Sequence, residues 1–203
     1  MATEPSVVLF DIGGVLATNG WDHVSREKAA TTFSLDDGFE ARHDALSVDL
    51  DCARITLDVY LDRVVFDRPR SFTRDAFIEF MRGESQPYAE TIAVLDEVVA
   101  TQRYAVFALN NESRELNGYR IAKFELARRF DGFLSSCYLG LAKPERAIYE
   151  RALEILQRAP ASCVFVDDRA GNIAPAVALG IRGIQHSAAA TTRDALRAQG
   201  VKI

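Results

Sequence analysis

The chain has 203 residues, of which 48% are hydrophobic and 26% charged, with a net charge of −5. That composition excludes a disordered or fibrous protein, and no apolar stretch reaches the length of a membrane span. Lys and Arg are scattered, so there is no footprint for nucleic acid; the locally basic stretch 120–129 interleaves Phe124, Leu126 and Phe130 and reads as a solvated helix face.

In chain order, residues 1–6 lack the basic segment of a secretory leader, and the apolar run behind them is too short for one. That run, Val7-Val8-Leu9-Phe10, predicts a buried parallel strand that delivers Asp11 to its C-terminal edge, where open α/β sheets bind ligands. Residues 21–84 then hold helical patches at 21–33, 36–46, 56–66 and a fourth that Thr73 can cap and Gly83 stops. From Pro87 onward helix and strand alternate: helix 88–100, strand 104–109, helix 113–129, a short strand near 133–138, helix 145–157, strand 164–166, helix 171–179, strand 182–185 and a terminal helix 192–198. Strands separated by single helices imply βαβ units, a parallel sheet and a three-layer α/β sandwich. The segment 21–84 reads as a helical insertion, leaving 1–20 and 85–203 as the core. Cys52, Cys137 and Cys163 form no CxxC pair and no disulfide framework; Cys137 and Cys163 sit in strand-like apolar stretches and read as buried thiols, so a reducing cytoplasm is expected.

A second strand of the first one's design, Cys163-Val164-Phe165-Val166, ends in Asp167-Asp168. Two such strands bring three acids together, and like charges that close need a cation, which points to a metal-assisted enzyme.

Four segments fall at predicted strand ends or in the loops behind them: Asp11-Ile12-Gly13, Asn110-Asn111-Glu112, Lys143-Pro144 and Asp167-Asp168. In this order they resemble the four motifs of the haloacid dehalogenase-like hydrolase superfamily. The tail from Val164 through Asn172 to Leu179-Gly180-Ile181, and Leu141-Ala142-Lys143-Pro144-Glu145, resemble its small helical-cap branch. That branch includes bacterial sugar-phosphate phosphatases and the phosphatase domain of soluble epoxide hydrolase. The resemblance implies a Rossmann-like core with 21–84 as a small helical cap. It implies a Mg²⁺-dependent phosphatase acting on a small phosphorylated metabolite. Asp11 resembles the nucleophile that forms an aspartyl-phosphate, and a carboxylate beside a dication stays ionised for that task. Asn110 and Asn111 match phosphate-binding positions at a helix N-terminus. Lys143 resembles the lysine that offsets the charge of nucleophile and phosphate. Asp168, Asp11 and the Gly13 carbonyl match the metal ligands, with Asp167 in support and Asn172 steadying a coordinated water or the Asp168 side chain.

Two positions depart from the family pattern. Asn110 stands where Ser or Thr is usual. Gly13 stands where these phosphatases usually carry a second Asp as general acid and base, and removing a positioned proton donor costs about 10²–10⁴ in rate. Three accounts stay open: a leaving group that needs little protonation, a substitute acid from the cap (His43, Glu40 or His23), or a weakly active or non-catalytic phospho-ligand binder. A haloacid dehalogenase is the alternative enzyme, since halide leaves unprotonated; the adjacent Asp167 and Asp168 argue against it. His186, after the last strand, is read as a bystander.

Overall fold

The computed structural model describes residues 4–203. Residues 1–3, which belong to the segments 1–6 and 1–20 considered above, lie outside the described residues. The element order is β1 (Val7–Phe10), α1 (His23–Thr32), α2 (Phe39–Asp51), α3 (Leu57–Val64), α4 (Arg74–Gly83), α5 (Ala89–Ala100), β2 (Ala105–Ala108), α6 (Arg114–Lys123), β3 (Gly132–Phe133), α7 (Ser136–Leu139), α8 (Arg146–Leu156), β4 (Cys163–Asp167), α9 (Ala170–Ala178), β5 (Arg182–Gln185) and α10 (Ala189–Ala198). The five strands form one parallel sheet in the order β3-β2-β1-β4-β5.

Strands β1 and β4 are buried at every position. Their continuous apolar runs follow from that, because a central parallel strand is covered on both faces. Val8, Phe10, Val164 and Val166 point into one layer with Val94, Leu95 and Val98 of α5 and Leu196 of α10. Val7, Leu9, Cys163 and Phe165 point into the other with Ile148, Tyr149 and Ala152 of α8 and Ala176 of α9. The result is a three-layer α/β sandwich.

Helices α1 to α4 bury a hydrophobic cluster of their own around Trp21, Phe39, Tyr60, Leu61, Phe77 and Met81. Side chains of Asp22, Thr56 and Thr73 cap α1, α3 and α4 by accepting from the backbone N–H three residues on. The two chain crossings that join this segment to the sheet run side by side. Thr18 N donates to the Gln86 carbonyl at 2.9 Å, and Tyr88 N to the Leu16 carbonyl at 2.8 Å.

Three elements differ from the sequence expectation. Helix 36–46 begins later and runs on to Asp51. Helix 113–129 breaks after Lys123, because Glu125 takes a left-handed φ of 52° that turns Leu126 and Phe130 into the core. The strand near 133–138 is only Gly132–Phe133; the short helix α7 follows, so Cys137 is buried in a helix, not a strand. All three cysteines are free and buried. Among the described residues no helix is long and apolar enough to cross a membrane.

Candidate active site

The strand order reverses between β1 and β4, the point at which parallel sheets open a crevice beyond their C-terminal edge. Phe10 pairs with Val166, so one further step along each strand sets Asp11 beside Asp167. Both are buried. Lys143 Nζ lies between them, 2.8 Å from Asp11 Oδ2 and 2.6 Å from Asp167 Oδ2. Asp11 Oδ1 accepts from Ile12 N at 2.8 Å, which fixes the carboxylate plane. Asp167 also accepts from Arg169 N at 2.8 Å and from Asn172 Nδ2 at 3.0 Å to each oxygen. Burial pushes the Asp11 carboxyl upward, Lys143 pulls it down, and Asp167 adds repulsion.

Asp168 is placed differently from its neighbour. Its Oδ1 is buried and has no hydrogen-bond partner. Gly14, at φ +73°, lies against this carboxylate so closely that a Cβ there would overlap it. A backbone in the left-handed region at that contact admits glycine alone. Asp11, Asp167 and Asp168 offer oxygens that all lie within 4.8 Å of one another. An orphaned carboxylate oxygen in an all-oxygen donor set fits a hard dication such as Mg²⁺.

Asp11 and Lys143 open into a cavity of about 430 Å³ whose lining also includes Gly13, Asn19, Trp21, Asp51, Glu112, Arg120 and Asn172; Asp168 lines a second cavity, with Gly14 and His186. Asn111 reaches the cavity with both ends of its amide engaged: Nδ2 donates to the Lys143 carbonyl at 2.8 Å, and Oδ1 accepts from Lys143 N at 2.9 Å. It holds the lysine's backbone. Asn110 is not in the lining. Its Nδ2 donates to Asn117 and its Oδ1 accepts from Ser135, so the amide expected to meet phosphate is turned inward. Asn172 Nδ2 donates to both oxygens of Asp167, where a coordinated water or the Asp168 side chain was the expected partner.

The cap candidates for a substitute acid, His43, Glu40 and His23, each meet neighbouring side chains, as does His186. His43 lines the cavity, but burial, aided by Arg26, pushes it down to about 4, and its Nδ1 meets the Tyr60 hydroxyl at 2.8 Å. It is neutral at neutral pH. Glu40 is held down to about 2 by hydrogen bonds from Arg26. Both ring nitrogens of His23 face surface carboxylates, Glu40 and Glu27, at 3.1 Å. His186 Nδ1 meets Thr192 Oγ1 at 2.7 Å.

Among the cavity residues that carried no assignment in the sequence are Asp51, Glu112 and Arg120. Asp51 ends α2, where burial and then Glu112 push its carboxyl up to about 7. Glu112 is raised by burial against the pull of Arg120. Arg120, on α6, is 2% exposed and pairs with Glu112 at 3.3 Å. Glu112 was findable, since it directly follows the Asn110-Asn111 pair. Asp51 and Arg120 had no local signal.

Comparison with known proteins defines the class. A family model described as hydrolase, haloacid dehalogenase-like hydrolase, matches residues 5–180, and the chain belongs to that family. Among individual proteins, it is 35% identical over 79 residues to mouse bifunctional epoxide hydrolase 2, covering 38% of this chain and 14% of that one. It is 27% identical over 124 residues to flavin mononucleotide hydrolase 1 of Arabidopsis thaliana, covering 61% of this chain and 50% of the other. The chain thus spans half or less of these relatives. A HAD family enzyme from Bacteroides thetaiotaomicron, solved with magnesium and inorganic phosphate, superposes with a TM-score of 0.75 at 19% identity, over 91% of this chain and 95% of that one. An L-2-haloacid dehalogenase superposes at 0.65 and 17% identity, over 90% and 85%. At such identities the superpositions speak for the fold.

Proposed function

We propose that the protein is a Mg²⁺-dependent phosphatase that hydrolyses a small phosphomonoester through an aspartyl-phosphate on Asp11. The observation that carries this reading is the arrangement Asp11–Lys143–Asp167, with Asp11 and Lys143 in the cavity lining and Asp168 presenting an unpartnered oxygen within reach of the other two carboxylates. Asp11, Asp168 and the Gly13 carbonyl would hold Mg²⁺, which when bound neutralises charge on the transferring phosphoryl group. The chain's own residues do the rest. Asp11, oriented by Ile12 N and Lys143, attacks phosphorus as the bond to the substrate's ester oxygen breaks and the alcohol departs. Lys143 offsets the charge that gathers on the phosphoryl oxygens. Water then attacks the aspartyl-phosphate, releasing phosphate and returning the carboxylate. Helices α1 to α4 act as a cap over the sheet edge. The hydrogen-bonding groups of Asn19, His43, Ser47 and Asp51 in the lining suit a hydroxyl-rich substrate such as a sugar phosphate. The three unpaired buried cysteines suit a reducing compartment such as the cytoplasm.

A dehalogenase reading draws on Gly13, but two further carboxylates beside Asp11 would repel a nucleophile in a metal-free site. The deciding experiment is a screen of sugar phosphates, nucleotides, acyl phosphates and 2-haloacids with Mg²⁺ and with chelator. Phosphate release that stops with chelator, and stops in Asp11→Asn, is the expected result. Halide release that persists with chelator overturns the phosphatase reading.

A further inference from the structure

Gly13 stands two residues beyond Asp11, and the space above it is taken. A Cβ built on Gly13 would lie 3.1 Å from Asn19 Oδ1 and 3.6 Å from Arg120 Nη1. At Gly20, φ +76°, a Cβ would overlap Arg120 Nη2. The two glycines leave a slot, and the guanidinium fills it. Arg120 is gripped there: Glu112 Oε2 lies 3.3 Å from Nη1, and Nε donates to Ser85 Oγ at 3.1 Å. Its Nη2 lies against Gly20 and is buried without a partner, so Nη1, beside Gly13, is the nitrogen turned toward the loop after Asp11. Asp11, Gly13, Asn19, Glu112 and Arg120 all line the one cavity.

We propose that Arg120 receives the departing oxygen of the substrate, standing where an acidic side chain at position 13 would reach. This rests on the phosphatase reading above. A guanidinium keeps its protons, so it stabilises the leaving oxygen by charge and hydrogen bonding and transfers nothing. In the step itself the Asp11 oxygen forms the new bond to phosphorus. The bond from phosphorus to the leaving oxygen breaks, and its electron pair stays on that oxygen, facing Arg120. The oxygen takes its proton from water on release. Glu112 is a positioning residue that fixes the guanidinium. The chemistry favours substrates whose leaving oxygen is stable as an anion: acyl, anomeric and aryl phosphates ahead of simple alkyl ones.

The test is a series of acyl, aryl and alkyl phosphates of graded leaving-group pKa, with Mg²⁺ present. Wild type is compared with Arg120→Gln/Glu112→Gln, which removes both buried charges together. Arg120→Lys keeps a cation beside Glu112 should the double variant fail to fold. The expected result is a loss of about 10²-fold on the poorest leaving groups, the size seen for removing one oxyanion donor, and less than about tenfold on acetyl phosphate. Beryllofluoride capture at Asp11 is retained. A uniform loss across the series, or no loss, overturns the inference and leaves Arg120 a structural ion pair. It is equally overturned if Asp51→Asn, with Arg120 intact, is what steepens the dependence, because the proton donor is then Asp51. A wild type inert on every phosphate overturns the phosphatase reading and this inference with it, whereas an active wild type whose slope ignores Arg120 overturns the inference alone.

Discussion

Lys143 is the residue on which two buried carboxylates depend. Its Nζ is the cation between Asp11 and Asp167, and the side chain is 1% exposed. Removing one partner of a buried ionic group costs about 3–5 kcal/mol, because it leaves charge uncompensated in a poorly solvated place. Lys143→Met is therefore expected to lower unfolding free energy by that amount in urea titrations without Mg²⁺, and to abolish turnover. Asp168 behaves in the opposite way. Its Oδ1 has no partner to lose, so Asp168→Asn is expected to keep the melting temperature while weakening Mg²⁺ binding at least about tenfold in calorimetry, the low end of metal-site losses. Tight Mg²⁺ binding in that variant would show that the ion, if held, is held elsewhere.

Among the elements, three of the four helices after β1 (α1, α3 and α4) start on a capping side chain, whereas α2 begins at Gly38 without one. Thr73 accepts from Ala76 N at 3.2 Å at the head of α4, whose Phe77 and Met81 face the helical cluster. Thr73→Ala is expected to cost about 1 kcal/mol, read by urea unfolding. Because α4 contributes no residue to the cavity lining, kcat/KM is expected to stay as in wild type. The loop after β1 is held differently, by glycine. Gly14 brings the backbone against Asp168, and the two antiparallel crossings near Thr18 and Gln86 set the helical segment beside the sheet edge.

Across the whole molecule, the cavity lies between the helical cluster and the sheet, and Asp51 marks the junction. Its carbonyl accepts from Ser136 Oγ of α7 at 2.7 Å, while its carboxyl is raised from an ordinary 3.8 to about 7. The folded state binds that proton more tightly than the unfolded chain does. Stability from this residue is therefore fully present below about pH 4 and is lost as pH rises through 7. Asp51→Asn removes the charge that burial disfavours. The variant is expected to match wild type in urea unfolding at pH 4 and to exceed it at pH 8 by at least about 1 kcal/mol, a tenfold change in proton affinity being worth about 1.4 kcal/mol. Equal stability at both pH values would count against an Asp51 that holds its proton in the folded state.

The parallel sheet and its reactive edge were legible because their causes are local. A continuous apolar run ending in Asp can be read at β1 and again at β4, and single helices between strands force those ends to one side of the sheet. Once β1 and β4 are neighbours, Asp11, Asp167 and Lys143 meet. Other outcomes depended on contacts between distant segments, for which the sequence holds no periodic signal. Asn110 looks like a phosphate ligand until Asn117 and Ser135 are seen to engage its amide. Asp51 enters the cavity only because α2 runs on to residue 51. Arg120 reads as part of a solvated basic face, yet it is buried against Glu112, Gly13 and Gly20 because α6 turns it under the loop that follows β1. Strand patterns and motif spacing fixed the sheet edge that carries Asp11, whereas burial and pairing across the chain decided which charges line the cavity.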